Sequence, residues 1–445
     1  MPRVPFFLLA VLVLATVVGC GGGSPRDPYG SDATPADYAE LRLTKTVNDE
    51  RIKGELERLE ATGQLPLQLD QSYLDKTDET TVPLIARFFE GTDPSYIEDQ
   101  LANSGHLWDP NSPGRDLLIT AQGEEFLKKW DVQRAAARNT LTQPSIRYPV
   151  DIKKGFLDDP TWTGVVQCLA RAELVEAARQ ANDGHLSEAI TAVAYAIAYG
   201  DQLNQVPILA ARNTAKQIRA EAFLTMRGLL RHPQLEQGQL RTLESVLDQS
   251  LRAWPDDTLL WQVDRASGLH FLEMIRAGNL NSLLTREEYD AMRSSGELTM
   301  LASRIARNLT TDQAFYLDAM KTVVESTKLP YFERAETLYS ISDALNQAQN
   351  SGIYPVISGD FLLDIMHAEH AELAADKART TIWLTALQTA NGHPPKPSPI
   401  NEFSGKPIQV DDEPQKVVAR FSGMPGDIPE LVIPKLGKRD VTNTD

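Results

Sequence analysis

The chain has 445 residues, 24% of them charged, and a formal net charge of −17 at pH 7. That acidity argues against a nucleic-acid partner and against spreading on anionic lipid, because both are themselves negative. Two cysteines, Cys20 and Cys168, leave no disulfide framework, so stability has to come from burial.

Arg3 is the sole charge before Arg26, and residues 6–18 form an apolar run without a charged side chain. The run falls short of the about 20 apolar residues that span a bilayer. A basic residue before it and small residues after it give it the layout of a signal-peptide core. It ends in Val17-Val18-Gly19-Cys20. This quartet resembles a bacterial lipobox, with Val17 standing where Leu is commoner. The resemblance implies that residues 1–19 are a signal peptide cut away before Cys20, and that the Cys20 thiol carries a diacylglycerol. Two or three acyl chains anchor stably where one is marginal. The Gly-, Ser- and Pro-rich stretch that completes residues 20–35 reads as a flexible tether spanning on the order of 20 Å. The expected location is the bacterial cell envelope, facing the periplasm or the exterior, with the membrane engaged through the lipid.

Residues 36–145 read as an N-terminal helical region. Helical spacing runs over 37–62, shorter helical pieces fall at 82–90 and 94–102, a loop at 109–116, and a further helix at 117–141. A linking loop at 146–160 leads to the main helical domain, 160–392. There, segments of 15–30 residues repeat apolar positions at i, i+3, i+4 and i+7. They break at Asp183-Gly184, Gly200-Asp201, His232-Pro233, Pro255-Asp256, Gly278-Asn279, Gly296, Leu329-Pro330 and Ser351-Gly352. With no alternating β-branched run, the expected fold class is all-α, a multi-helix antiparallel bundle or helical-hairpin array. Residues 170–201 resemble a single tetratricopeptide-type hairpin, with Gly184 in the turn and Ala189, Ala192, Ala194 and Ala196 in the second helix. No second copy follows at the 34-residue period of a true array. The tail, 393–445, is Pro-rich and carries turns, with short strands expected at 408–410, 416–421 and 431–433.

The order of a leucine-rich helical block at 165–251, a helix ending in Asn391-Gly392-His393-Pro394, and then Phe403-Ser404-Gly405-Lys406-Pro407-Ile408 resembles a group of uncharacterised bacterial envelope proteins. Their C-terminal segment is similar to that of type II secretion pseudopilins. Asn401-Glu402 stand where that group has Asp-Pro, which weakens any cation site there. The resemblance implies a helical envelope lipoprotein and no particular activity.

The strongest candidate for chemistry is DIMHAEHAELAAD, residues 364–376. On a helix His367 and His370 share a face and Asp364 lies one turn earlier. Two imidazoles and a carboxylate suit Zn²⁺ or Fe, with Glu273 near His270 as a source of a further ligand. The spacing is not HExxH, and the competing reading is a solvated helix face with one histidine touching the core. Neither GxSxG nor a phosphate loop occurs. Ser404-Gly405 fits a turn, Cys168 a buried core position, and the six tryptophans core positions before a glycan groove. No cofactor is expected. The leading reading is a non-enzymatic binding or scaffold module whose partner is another envelope protein or a polymer. The alternatives are a metal-assisted hydrolase using His367 and His370, and a glycan- or solute-binding lipoprotein.

Overall fold

The computed structural model describes residues 49–74, 94–104, 117, 119–141, 148, 150–158, 160–276, 286–351, 355–421 and 430–436. Cys20, the tether, the 82–90 piece and the 109–116 loop lie outside them.

Helix α1 (Glu50–Ala61) starts where the Asp49 carboxylate accepts from Arg51 N at 2.9 Å, and it buries Ile52, Leu56 and Leu59 along one face. Such a cap satisfies a backbone donor that has no partner inside the helix. Helices α2 (Pro66–Leu74) and α3 (Pro94–Ala102) follow. The helix expected at 117–141 is two: α4 (Ala121–Lys129), capped by Thr120, and α5 (Asp131–Thr140), with Trp130 between them buried against Phe126. A short 3₁₀ segment, Ile152–Leu157, leads to α6 (Trp162–Asn182) and α7 (Leu186–Asn204).

The α6–α7 pair is the Ala-rich hairpin. Ala170, Ala172, Ala177, Ala178, Ala189, Ala192 and Ala196 are all buried, so the two helix backbones approach closely. Helix α7 runs through Gly200 where a break was expected. A Cβ at Gly200 would sit 3.4 Å from both the Ala215 carbonyl oxygen and Ile218 Cγ2. The glycine therefore lets α8 (Leu209–Leu229) pack against α7, and the turn comes later, at 205–208.

Next come α9 (Gln237–Arg252), opened by a Glu236/Gln239 capping box, α10 (Thr258–Arg276), α11 (Arg286–Ser295), α12 (Glu297–Ser326) and α13 (Tyr331–Ser351). A π-helical turn, Ser358–Leu362, is pinned to α12 by the Asp312 carboxylate, which accepts from the Ile357 and Ser358 amides at 2.7 Å each. The last helix, α14 (Met366–Ala390), runs into the tail. Strands β1 (Val410–Asp412), β2 (Lys416–Arg420) and β3 (Glu430–Pro434) form an antiparallel sheet in that order, with Val410 opposite Ala419 and Val418 opposite Val432. The fold is thus all-α with a small tail sheet. No helix among the described residues is long and apolar enough to cross a membrane.

Packing groups these elements into two cores that ignore chain order. One gathers α2 to α9, Val263 and Ala266 of α10, the inner face of the sheet, and Ala375 to Ala390 of α14. The other gathers α1, α10 to α13, the π-helical turn, and Met366, Leu373 and Ala374 of α14. Helices α10 and α14 therefore belong to both, α14 changing cores between Ala374 and Ala375. Phe403 of the tail also packs against both.

Candidate functional site

The stretch that changes cores begins with the two histidines. Asp364 lies in an exposed turn before α14, not on the helix one turn from His367, because the helix starts at Met366. His367 is half-buried beside the Tyr339 ring, with centroids 4.0 Å apart. His370 is fully buried and lies flat on Trp261 of α10, with centroids 3.8 Å apart and an 8° interplanar angle. Burial, the Arg334 charge and His367 hold the His370 imidazole well below its usual pKa, so it is neutral at pH 7. Burial lowers His367 as well.

Among the described residues, neither ring nitrogen of His370 has a hydrogen-bond partner, nor do His367 Nε2, Glu369 Oε2 and Trp261 Nε1. Glu273 accepts from Gln313 and from Arg276, each at 3.4 Å. Among the described residues no group of three or more His, Cys, Asp or Glu side chains is placed to hold a metal. The unpartnered nitrogens remain the one local feature that suits a ligand.

Nearly two turns further along, at Asp376, α14 meets a row of buried arginines. Arg219 of α8 donates to Asp376 from Nε at 3.0 Å and to Asp201 from Nη1 at 3.4 Å, and its guanidinium lies 4.6 Å from the Trp254 ring centroid. Arg212 donates to Asn204 at 3.2 Å and to the Val206 carbonyl at 3.4 Å, with Asp257 at 3.9 Å. Arg334 of α13 donates to Asp257 at 3.0 Å. Buried charges persist only when paired and hydrogen-bonded, and these pairs tie α7, α8, α13 and α14 together across the two cores. Burial pushes Asp201 up to about 6 against the pull of Arg219.

In front of this row opens a cleft of about 230 Å³. Its walls come from Trp254, Pro255, Asp256 and Asp257 before α10, from 327–330 between α12 and α13, from Arg334, from Leu373, Ala374 and Lys377 of α14, and from Glu402. The lining is mainly polar. Most of its charges are already used. Asp257 takes Arg334, Lys377 and Glu402 pair at 2.7 Å, and Asp256 accepts from Thr258 N at 2.5 Å, capping α10. Hydrogen bonding from the Thr258 side chain, with a smaller share from its amide, holds Asp256 below its usual pKa.

The Glu402 wall is held by the tail segment singled out in the sequence. The Asn401 side-chain oxygen accepts from the Phe403 and Ser404 amides at 2.9 and 3.3 Å, and Gly405 N returns to Asn401 O at 2.8 Å. The amide of Phe332 on α13 donates to Glu402 O at 3.2 Å, and Phe403 stacks on Tyr331. Asn401 thus serves an Asx turn, and Ser404-Gly405 has the turn role read from the sequence.

The sequence marked Pro255-Asp256 and Leu329-Pro330 as helix breaks; the structure makes them facing walls of one cleft. Trp254 differs from Trp130, Trp162, Trp261 and Trp383, which are buried: it is part-exposed at the cleft edge. Cys168 is buried in α6. No protein-family model, curated protein or solved structure matches the chain.

Proposed function

We propose that the protein is a lipid-anchored component of the bacterial cell envelope whose helical body binds or scaffolds another envelope protein or a polymer. The observation that carries the reading is the order of features at the N-terminus: one basic residue, an apolar run of signal-peptide length, Val17-Val18-Gly19-Cys20, and a Gly/Ser/Pro tether. An acylated cysteine on such a tether would hold the body off the bilayer with its surface open to a partner. The test is expression with a radiolabelled or alkyne-tagged palmitate, followed by mass spectrometry of the N-terminal peptide. Acylated Cys20 as the first residue, absent in Cys20→Ser, supports the reading. An unmodified Cys20 in a mature chain starting elsewhere overturns the anchor.

The unpartnered nitrogens of His367 and His370 favour a second reading, a metal-assisted hydrolase in which these two imidazoles are the ligands; Asp364, expected as a third, is not grouped with them among the described residues. Inductively coupled plasma mass spectrometry on protein purified without chelator decides it. About one Zn or Fe per chain, lost in the His367→Ala/His370→Ala double variant, would put that reading first.

A further inference from the structure

The sequence motif Asn391-Gly392-His393-Pro394 has no part in the cleft or the histidine pair, and it forms the root of the tail. Helix α14 ends there because Gly392 takes a φ of 87°, a left-handed value open to glycine. The Gly392 and His393 amides turn back to the Thr389 and Gln388 carbonyls, each at 3.0 Å. His393 is exposed just past the helix end, where the partial negative charge of the last carbonyls favours a cation.

Helix α9 grips this root. Gln237 Nε2 donates to Asn391 Oδ1, and Asn391 Nδ2 donates to Glu244 Oε2 at 2.6 Å. The other Glu244 oxygen lies 2.7 Å from His393 Nε2, and His393 Nδ1 lies 3.3 Å from the Asn391 carbonyl oxygen. The ring therefore faces a carboxylate on one side and a carbonyl on the other, and neither has a proton to donate. A neutral imidazole carries one N–H and one lone pair, so either tautomer turns a lone pair towards an oxygen. The imidazolium alone donates at both ends, and its bond to the carboxylate is charge-assisted. The charged groups facing the ring are Glu244 and Arg241, both on α9. The Glu244 hydrogen bond outweighs desolvation and the Arg241 charge, and holds His393 above its usual pKa.

The tail is fastened again at Glu402 and Phe403, where the Phe332 amide donates to the Glu402 carbonyl at 3.2 Å and Phe403 stacks on Tyr331. Residues 394–400 run between these two fastenings, one on α9 that takes up a proton and one on α13 made of a backbone hydrogen bond and ring stacking. We propose that His393 and Glu244 form a pH-sensitive latch: the imidazolium ties the root of the tail to α9, and loss of its proton frees the root while Glu402 and Phe403 stay docked. Holding is complete below the ordinary histidine value near 6.5. It is lost as pH rises through the higher value of the folded protein. The latch is independent of the anchored-module reading, which acylation of Cys20 decides.

The test follows the histidine ring signals of the full-length protein in detergent by NMR across about pH 5.5 to 8.5, with His393→Gln identifying the His393 signal. That signal is expected to titrate above about 6.5. Glu244→Gln, which keeps an acceptor and removes the charge, should bring it down to the ordinary value or below, and Arg241→Gln should raise it further. Hydrogen exchange, corrected for the base-catalysed rate, should show amides 391–393 opening about two- to fivefold more at the alkaline end than at the acid end, the range an exposed ion pair supports. Amides 403–405 should show no such change, and Glu244→Gln should abolish it at the root. A His393 signal at or below the ordinary value overturns the proposal. So does a signal unmoved by Glu244→Gln, or exchange at 391–393 that is the same at both ends of the range or still varies with pH in Glu244→Gln.

Discussion

His370 is a histidine used as a flat ring. It stacks on Trp261 and makes no hydrogen bond among the described residues. His370→Phe should therefore fold, whereas His370→Ala should cost about 2–4 kcal/mol by opening a cavity, measured by urea unfolding. The wild type should also lose stability as pH falls below the ordinary histidine value near 6.5. The unfolded chain takes a proton there that the buried ring refuses, and His370→Phe should remove that share. Asp264 on α10 behaves oppositely. Burial, with Glu369 adding repulsion, pushes its carboxyl up to about 7. Protonation stabilises the fold fully below the ordinary carboxylate value, and the contribution is lost as pH rises from there to about 7, levelling off above it. Between pH 5.5 and 7.5 the loss approaches about 2 kcal/mol, at about 1.4 kcal/mol per unit. Asp264→Asn should flatten that part of the pH profile and unfold at higher urea at pH 7.5. The scarcity of histidine drew the eye to His367 and His370 in the sequence. Nothing local revealed Trp261 as the partner, because tertiary packing brings the two helices together.

At the level of elements, helical periodicity made most of α6 to α14 legible, and Pro-containing breaks marked the true turns before α9, α10 and α13. Gly200 misled because the same residue serves two ends. It can stop a helix, or it can let a second helix lie close, and only the neighbour decides. Trp130 was the reverse case: a good apolar residue in periodic register that splits one expected helix into two. The tail turn is the element whose removal should be felt furthest. Gly405 holds φ at 69°, and a Cβ there would meet the Phe332 ring at 2.7 Å. Gly405→Ala should cost about 1–3 kcal/mol. Phe403→Ala should loosen the same turn by removing the ring that touches both cores. Hydrogen exchange should report this as faster exchange of the Phe332 and Gly405 amides. The cleft was the least legible feature. Each wall was visible as a break or a motif, but their meeting depends on α13, α14 and the tail converging from distant parts of the chain.

For the whole molecule, the two cores share α14, Phe403 and the arginine row, so they should not melt apart. Differential scanning calorimetry should show one transition with equal calorimetric and van't Hoff enthalpies. Arg219→Ala, which strands Asp376 in the interior, should cost about 3–5 kcal/mol and move the single peak without splitting it. The sharing of α14 also has a bearing on the protein's birth. Large chains ordinarily fold N-terminal domain first as they are synthesised. Here part of the filling of each core, within residues 366–403, is made after nearly all the rest. A chain that stops before α14 would leave apolar surface exposed on both cores rather than on one.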